Sequence, residues 1–409
     1  MLNKIFQRKI LLSDIAVLVY VSLIKLLIHI LTGSQYGYFR DELYYIEASQ
    51  HLDFGYVDIP PLVPLIMAVN RFIFGTSLMA IHILPALAGA VTVFITGLTA
   101  KKLGGGRFAQ ILAAVAFLTG GNWLVMNSMF TYDSFDQLMS SIFFYVLIVI
   151  LKDEKPKLWP LFGLIAGIGL MTKLSMMFIG FAMVCGLLLT KERRQFMKKW
   201  IWIGGLVVIL VCMPYILWQL HHGAPVLEYW KNYAEGKTLK SSPLEFILNQ
   251  VADIGALSAP IWICGLYYFL FSKDGKKLRV LGLIYIILLV MFAAMHMKPY
   301  LLSPEYIVLF AAGGVVIEGF INKIRSGWLK PVYLSLLVVL CVITAPLALP
   351  ILPIDRLGSY MQMLGVKSQK IEVTDTNDLP NHLIDRFGWE EMVKRVSEVY
   401  GGLSKEDRD

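Results

Sequence analysis

The sequence predicts an all-α polytopic membrane protein, a bundle of about eleven transmembrane helices with further helices lying at the surface in its first external loop. Three observations predict it. The chain of 409 residues is 57% hydrophobic and only 16% charged, with a mean hydropathy of +0.65, whereas soluble domains run at about 45–50% apolar and about 25% charged. Charged residues desert stretches long enough to cross a bilayer, which takes about 20 apolar residues per helix. The basic residues gather in short clusters between those stretches and never on a polar domain. The net charge of +8 therefore reads as membrane topology, and no nucleic-acid partner is expected.

Taken in order, the apolar runs cover residues 10–32, 78–100, 108–128, 134–151, 158–172, 174–190, 200–219, 254–271, 279–295, 301–320 and 331–349. The first begins near Ile10 and no small-residue cleavage site follows it, so it reads as a span and not as a removable leader. The fifth and sixth form one long apolar stretch broken at Thr172-Lys173. A lysine in mid-membrane is costly, so the break reads as the turn of a tight helical hairpin. Lys4, Arg8 and Lys9 precede the first run. The later clusters are Lys101, Lys102 and Arg107; Lys152, Lys155 and Lys157; Lys191, Arg193, Arg194, Lys198 and Lys199; Lys273, Lys276, Lys277 and Arg279; and Lys323, Arg325 and Lys330. With alternating runs all of them fall on one side, which puts the N-terminus in the cytoplasm and the C-terminus outside at the plasma membrane. Residues 1–351 then form the transmembrane domain, with long external connections at 33–77 and 220–253, and 352–409 form an external tail. No internal repeat is visible. The four cysteines each lie within an apolar run, far apart, and read as small buried hydrophobes.

The first external connection carries the densest chemistry. Segments 41–51 and 61–74 read as surface helices, the second opening on a proline, where its missing N–H costs nothing. Asp41 and Glu42 start the first segment. Paired carboxylates at a helix N-terminus are also ordinary caps, but Arg40, Asp41, Glu42, Tyr44, Tyr45 and Glu47 crowd one membrane face as a site does. Asp133 and Asp136 start the fourth span on the same face, as a helix start or as a second carboxylate group. Asp41, Glu42 and Asp133 are the candidates for a general base or an acceptor-orienting group. Lys173 at the hairpin turn and His296, Lys298 and Tyr300 in MHMKPYLLSPEY also fall on that face. Each lysine alone could be a snorkelling anchor. Together with Arg40 they suit an anionic, lipid-borne leaving group. His221-His222 could ligate a metal but lack a third ligand in sequence. Trp389, Glu390 and Glu391 are expected to pack and solvate a short tail helix.

These segments resemble a known family. The loop YFRDELYYIEASQHLDFGYVDIPPL is similar to the first external loop of bacterial family 39 glycosyltransferases, the protein O-mannosyltransferase-like members of the glycosyltransferase-C superfold. That group is akin to the lipid A aminoarabinose transferase. MTKLSMMF looks like the family's lysine-bearing turn, GAPVLEYWKNY with SPLEFILNQ like its second outside loop, KPYLLSPEY like its lysine–tyrosine–proline turn, and LIDRFGWEEMVKRVSEVY like a tail segment. The resemblance implies inverting transfer of a sugar from a polyprenyl-phosphate donor to an acceptor hydroxyl on a protein, lipid or cell-wall glycan outside the membrane. It maps the family's acidic residue to Asp41, beside Glu42, and its phosphate-contacting cations to Lys298 and Lys173. Members with this tail usually continue past EVY, so a tail ending at Asp409 is expected to be shortened. Partners are then the lipid-linked donor, the acceptor and membrane lipids. No organic cofactor is demanded, and a divalent cation is left open. The competing reading, a lipid or solute transporter or flippase, predicts repeat symmetry and ionisable groups at mid-membrane.

Overall fold

A computed structural model describes residues 13–236, 242–367 and 378–404. The basic cluster at Lys4, Arg8 and Lys9 lies outside the described residues. Among the described residues the regular structure is helical throughout. The first span is α1 (Asp14–Thr32), started by Ser13, whose hydroxyl accepts the Ala16 N–H at 3.2 Å. The first loop holds α2 (Arg40–Ala48) and α3 (Leu62–Phe74), within a few residues of the predicted segments. Then follow α4 (Leu78–Leu103), α5 (Arg107–Thr119), α6 (Gly121–Met126), α7 (Tyr132–Lys152), α8 (Trp159–Thr172), α9 (Met176–Leu189) and α10 (Lys199–His221). The second loop carries α11 (Pro225–Gly236) and α12 (Pro243–Ile254). The bundle closes with α13 (Ala259–Phe271), α14 (Arg279–Ala294), α15 (Ser303–Lys323) and α16 (Leu329–Ala348). The tail adds α17 (Ile354–Leu364), α18 (Asn381–Ile384) and α19 (Trp389–Gly402).

Among the described residues each of the eleven predicted runs is largely helical, but they are not equal. Seven helices among the described residues are long and apolar enough to cross a membrane. The runs predicted at 108–128, 158–172, 174–190 and 254–271 hold shorter helices, of 13 or 14 residues in α5, α8, α9 and α13. Each interruption has a local cause. At Gly120 the chain leaves α5 because the Trp123 ring folds back over it; a β-carbon there would sit 2.3 Å from that ring. The expected hairpin turn is present: α8 ends at Thr172, Lys173 is extended (φ −152°, ψ 129°), and α9 starts at Met176. Between α12 and α13 the axis bends by 95° at Gly255, whose φ of 97° suits glycine.

The basic turns meet at one end of the bundle. Lys102 pairs with Asp153, Lys152 donates to the Lys102 carbonyl at 2.7 Å, and Lys277 pairs with Glu154 at 2.6 Å. Arg107 pairs with Asp14 at 2.8 Å, and the Lys330 ammonium lies over the Phe108 ring. Ionisable groups are not confined to the two ends of the bundle. Lys25 and His29 are fully buried on α1. Lys25 is retained there because its ammonium donates to the Trp123 carbonyl at 3.0 Å, in the helix that follows the Gly120 break. Trp389 packs in part, its indole N–H donating to the Asp385 carbonyl at 2.8 Å, although no residue of α19 is fully buried.

Candidate active site

The end of the bundle opposite the basic turns encloses a cavity of about 1400 Å³. Its polar half is lined by Arg40, Asp41, Tyr44, Asp58, Asp133, Lys173, His296, Lys298, Tyr300 and Asp385. Another part runs between α6 and α16 along Val125, Met126, Leu337, Leu340, Leu347 and Ala348 and is mainly apolar, with Asn122 and Thr344 also in its lining. Seven of the eight site residues expected from sequence therefore line one space, although they come from segments up to 260 residues apart. Glu42 is the exception.

Asp41 and Glu42 are neighbours on α2, and a helix turns consecutive side chains about 100° apart. Asp41 points into the cavity, 45% exposed to it, with Arg40 Nε at 3.3 Å from Oδ1. The walls around it strip water from its carboxyl, and burial with help from Asp133 pushes it above the usual aspartate range against the pull of Arg40 and Lys298. Arg40 reaches the other way too, to Asp385 at 3.3 Å.

Glu42 points into the protein and is wholly buried. Oε2 accepts the Phe39 N–H at 2.8 Å, the helix-capping bond that carboxylates at this position make. Oε1 accepts the Phe130 N–H at 2.7 Å and lies 2.7 Å from His82 Nε2. The other ring nitrogen of His82 lies 2.6 Å from the Gly33 carbonyl oxygen. The imidazole thus bridges the Glu42 carboxyl and the Gly33 carbonyl. Burial alone would raise the Glu42 carboxyl, but His82, Arg386 and the Phe130 N–H together hold it below the usual glutamate range. Glu42 is corrected from a cavity residue to the pin that fastens α2 to α4 and to the chain before α7.

Asp133, in the first turn of α7, takes the Lys173 ammonium at 2.6 Å, and Asp136 stands at 4.0 Å from the same nitrogen. Burial would lower the Lys173 ammonium, but these carboxylates and Tyr132 carry it above the ordinary lysine range. It lies over two rings, Tyr132 at 4.8 Å and Tyr300 at 5.2 Å. Lys298 lies over Tyr233 at 5.2 Å and Tyr300 at 6.0 Å. Tyr300 stands between the two lysines. His296, just before them, sits in a left-handed turn with φ 53°, rare for a side chain with a β-carbon.

Sequence reasoning missed Asp58, which accepts the Tyr44 hydroxyl at 2.6 Å, and Asp253, Asp385 and His382, which also line the cavity. Asp385 carried no local signal, because its partner Arg40 is remote in sequence. His221 and His222 lie outside this cavity, and His222 stacks on Trp218 with ring centroids 4.1 Å apart. Among the described residues no group of three His, Cys, Asp or Glu side chains is placed to hold a metal ion.

Comparison with known proteins follows the same lines. Residues 58–218 match the family model described as dolichyl-phosphate-mannose-protein mannosyltransferase. The chain is 22% identical over 311 residues to the lipid A galacturonosyltransferase RgtD of Rhizobium johnstonii, an alignment covering 73% of this chain and 63% of that relative. It thus spans a little under two thirds of the curated relative it matches. Its fold is similar to that of ArnT from Cupriavidus metallidurans bound to undecaprenyl phosphate, with a TM-score of 0.62 at 16% identity over 91% of this chain and 74% of that one. Against ArnT in the apo state the TM-score is 0.60 over 81% and 70% of the two chains, again at 16% identity. The chain thus shares the fold of ArnT, and its residues 58–218 match the model of the dolichyl-phosphate-mannose-protein mannosyltransferase family, in keeping with the resemblance read from the sequence.

Proposed function

We propose that this protein is a glycosyltransferase that moves a sugar from a polyprenyl-phosphate carrier to an acceptor hydroxyl at the extracytoplasmic face, inverting the anomeric centre. One observation carries the reading. A single cavity joins an apolar arm between α6 and α16 to a polar chamber holding Asp41, the Asp133–Lys173 pair and Lys298. A lipid tail suits the first and a sugar phosphate the second. Similarity to a protein solved with undecaprenyl phosphate supports the donor class. Similarity to a lipid A galacturonosyltransferase favours a lipid acceptor over a protein or a glycan.

In this reading the acceptor oxygen attacks C1 of the donor sugar. The bond from C1 to the phosphate oxygen breaks with both electrons leaving on phosphate, and Asp41 takes the hydroxyl proton. Lys298 supplies the main charge for the departing phosphate, with Arg40, His296 and the Tyr300 hydroxyl around it. Lys173, already compensated by Asp133, fixes the chamber wall and adds a weaker phosphate contact. Glu42 acts through position alone. Residues 1–351 form the catalytic bundle, with the basic end and N-terminus cytoplasmic and the tail outside. The test is transfer or hydrolysis of labelled sugar from a panel of polyprenyl-phosphate sugars by purified protein in detergent. Release of sugar from at least one donor, abolished in Asp41→Asn, supports the reading. Binding without turnover for every donor and acceptor pair overturns it.

A further inference from the structure

The tail lends the polar chamber a carboxylate that the reaction above leaves without a role. Asp385 lines the cavity, and its Oδ2 lies 3.3 Å from a terminal nitrogen of Arg40. On its other side the Arg40 Nε lies 3.3 Å from Asp41 Oδ1. One guanidinium thus spans two carboxylates, one from the first loop and one from the tail. A guanidinium has five donors in a rigid fork but only a single charge. Pairing with Asp385 therefore leaves Asp41 only part of that charge.

The contact is built, unlike a loose surface pair. The Asp385 N–H donates to the Asn381 carbonyl at 2.9 Å, and the Asp385 carbonyl accepts the Trp389 indole N–H at 2.8 Å. The turn before it is tied to the end of α16, where His382 shares a hydrogen bond with the Leu347 carbonyl at 3.0 Å. The next residue, Arg386, is buried and donates to the His382 carbonyl at 3.0 Å and the Ser128 hydroxyl at 2.8 Å. Phe387 packs edge-on to Tyr36 with centroids 4.7 Å apart. The Arg386 carbonyl comes so close to Gly37 that a β-carbon there would sit 2.3 Å from its oxygen. The tail is thus lodged, backbone to backbone, against the chain just before Arg40. The Asp385 side chain is 22% exposed and that of Arg40 46%, so the carboxylate is the fixed partner and the guanidinium the one it holds. Asp41 is also faced by Asp133 from α7, by Lys298 from the turn before α15 and by Tyr45 and Tyr132. Burial raises its proton affinity, and of the charges around it Arg40 pulls hardest the other way.

We propose that Asp385 is a positioning residue for the transfer: it holds Arg40 between two carboxylates and takes up part of its charge, so that Asp41 stays basic enough to accept the acceptor's proton. The inference rests on Asp41 being the base of the proposed reaction. Without the Asp385 charge, Arg40 bears wholly on Asp41, favours its ionised form and makes it a weaker base. The test uses the full chain in detergent, as wild type, Asp385→Asn, Asp385→Glu, Arg40→Gln and the Arg40→Gln, Asp385→Asn pair. The Asp41 carboxyl is titrated by infrared spectroscopy through the protonated C=O band that Asp41→Asn lacks, a readout that needs no substrate. In Asp385→Asn the midpoint should move to lower pH by on the order of one pH unit, and Asp385→Glu should restore it. In the Arg40→Gln background the same substitution should move it much less, because the group that couples the two carboxylates is gone. With a polyprenyl-phosphate sugar that the wild type turns over, the acidic limb of kcat/KM should shift in Asp385→Asn as the midpoint does. There kcat should fall several-fold while the donor KM does not rise. An unmoved or raised midpoint overturns the proposal, and so does an equal shift with and without Arg40. A lowered melting temperature with an unmoved midpoint overturns it too and leaves Asp385 a purely structural part. A shifted midpoint in a protein that releases sugar from no donor overturns the transfer reaction, and the positioning role with it, while the coupling through Arg40 stands.

Discussion

At the scale of single residues, the two adjacent carboxylates of α2 divide their labour by direction. Asp41 faces the cavity with a raised affinity for a proton, as a base that must accept one does. Asp41→Asn should lower turnover by roughly 10²–10⁴-fold, the usual worth of general-base catalysis. It should leave the melting temperature unchanged or higher, because a carboxylate whose proton affinity rises on folding is destabilising when ionised. With the wild type, kcat/KM should fall on acidification through a limb above the ordinary aspartate value of 3.8; a limb at or below that value removes Asp41 from the role. Glu42 behaves oppositely. Glutamine offers one acceptor oxygen where Phe39 and Phe130 present two N–H groups, and it removes the charge facing His82. Glu42→Gln should cost roughly 3–5 kcal/mol, as loss of one partner of a buried pair does, seen as a lowered thermal midpoint. Its folded-state pKa is depressed, so its contribution is present above 4.5 and disappears as pH falls through the lower folded value. The lysines also differ. Lys173 is committed to Asp133 at 2.6 Å, so Lys298→Ala should weaken donor binding more than Lys173→Ala. Removing a contact to a charged group costs about 1.5–3 kcal/mol, or roughly one to two powers of ten in Kd. Equal affinities in titrations of the two variants with donor would reject this ranking.

At the scale of elements, close approach decides what the bundle tolerates. A β-carbon at Gly313 would sit 1.8 Å from the Ile261 carbonyl oxygen, and one at Gly265 would sit 2.0 Å from that of Leu309. The helices α13 and α15 therefore cross backbone to backbone, the packing that small residues permit in membranes. Gly265→Ala and Gly313→Ala should each force them apart, at about 1–3 kcal/mol, read as a lower melting temperature in detergent. Melting at the wild-type temperature in both would mean that the crossing is looser than drawn. The helices themselves were legible in the sequence because apolar runs and Pro or Gly punctuation are local. The breaks were only half legible. Lys173 announced its turn by its charge, whereas the Gly120 break depends on where the Trp123 ring folds, which no run length reveals.

At the scale of the molecule, polarity along the bundle axis organises everything else. Basic turns close one end and the cavity opens at the other. Cysteine labelling should find position 104 accessible from the cytoplasm and positions 58 and 380 from outside; labelling of 104 and 380 from the same side would overturn the alternating arrangement. The cavity was legible to the extent that its residues shared a membrane face by alternation, which is why Asp41, Asp133, Lys173 and Lys298 were found together. Alternation cannot say which way a side chain turns. It missed that Glu42 looks inward and that Asp385 meets Arg40, because those contacts join residues with no common period or motif.

The Glu42 pin also sets an order in time. Its caps and partners are made at different moments of synthesis: Phe39 is already there, His82 lies 40 residues later and Phe130 lies 88 residues later. At about 5–20 residues per second, the loop that bears Asp41 waits several seconds for its first distant partner and longer for its second. Arg386, which steadies the same region through Ser128 across 258 residues, arrives later still. The surroundings of Asp41 are thus complete only after α4, the chain before α7 and the segment that bears Arg386 have all been made.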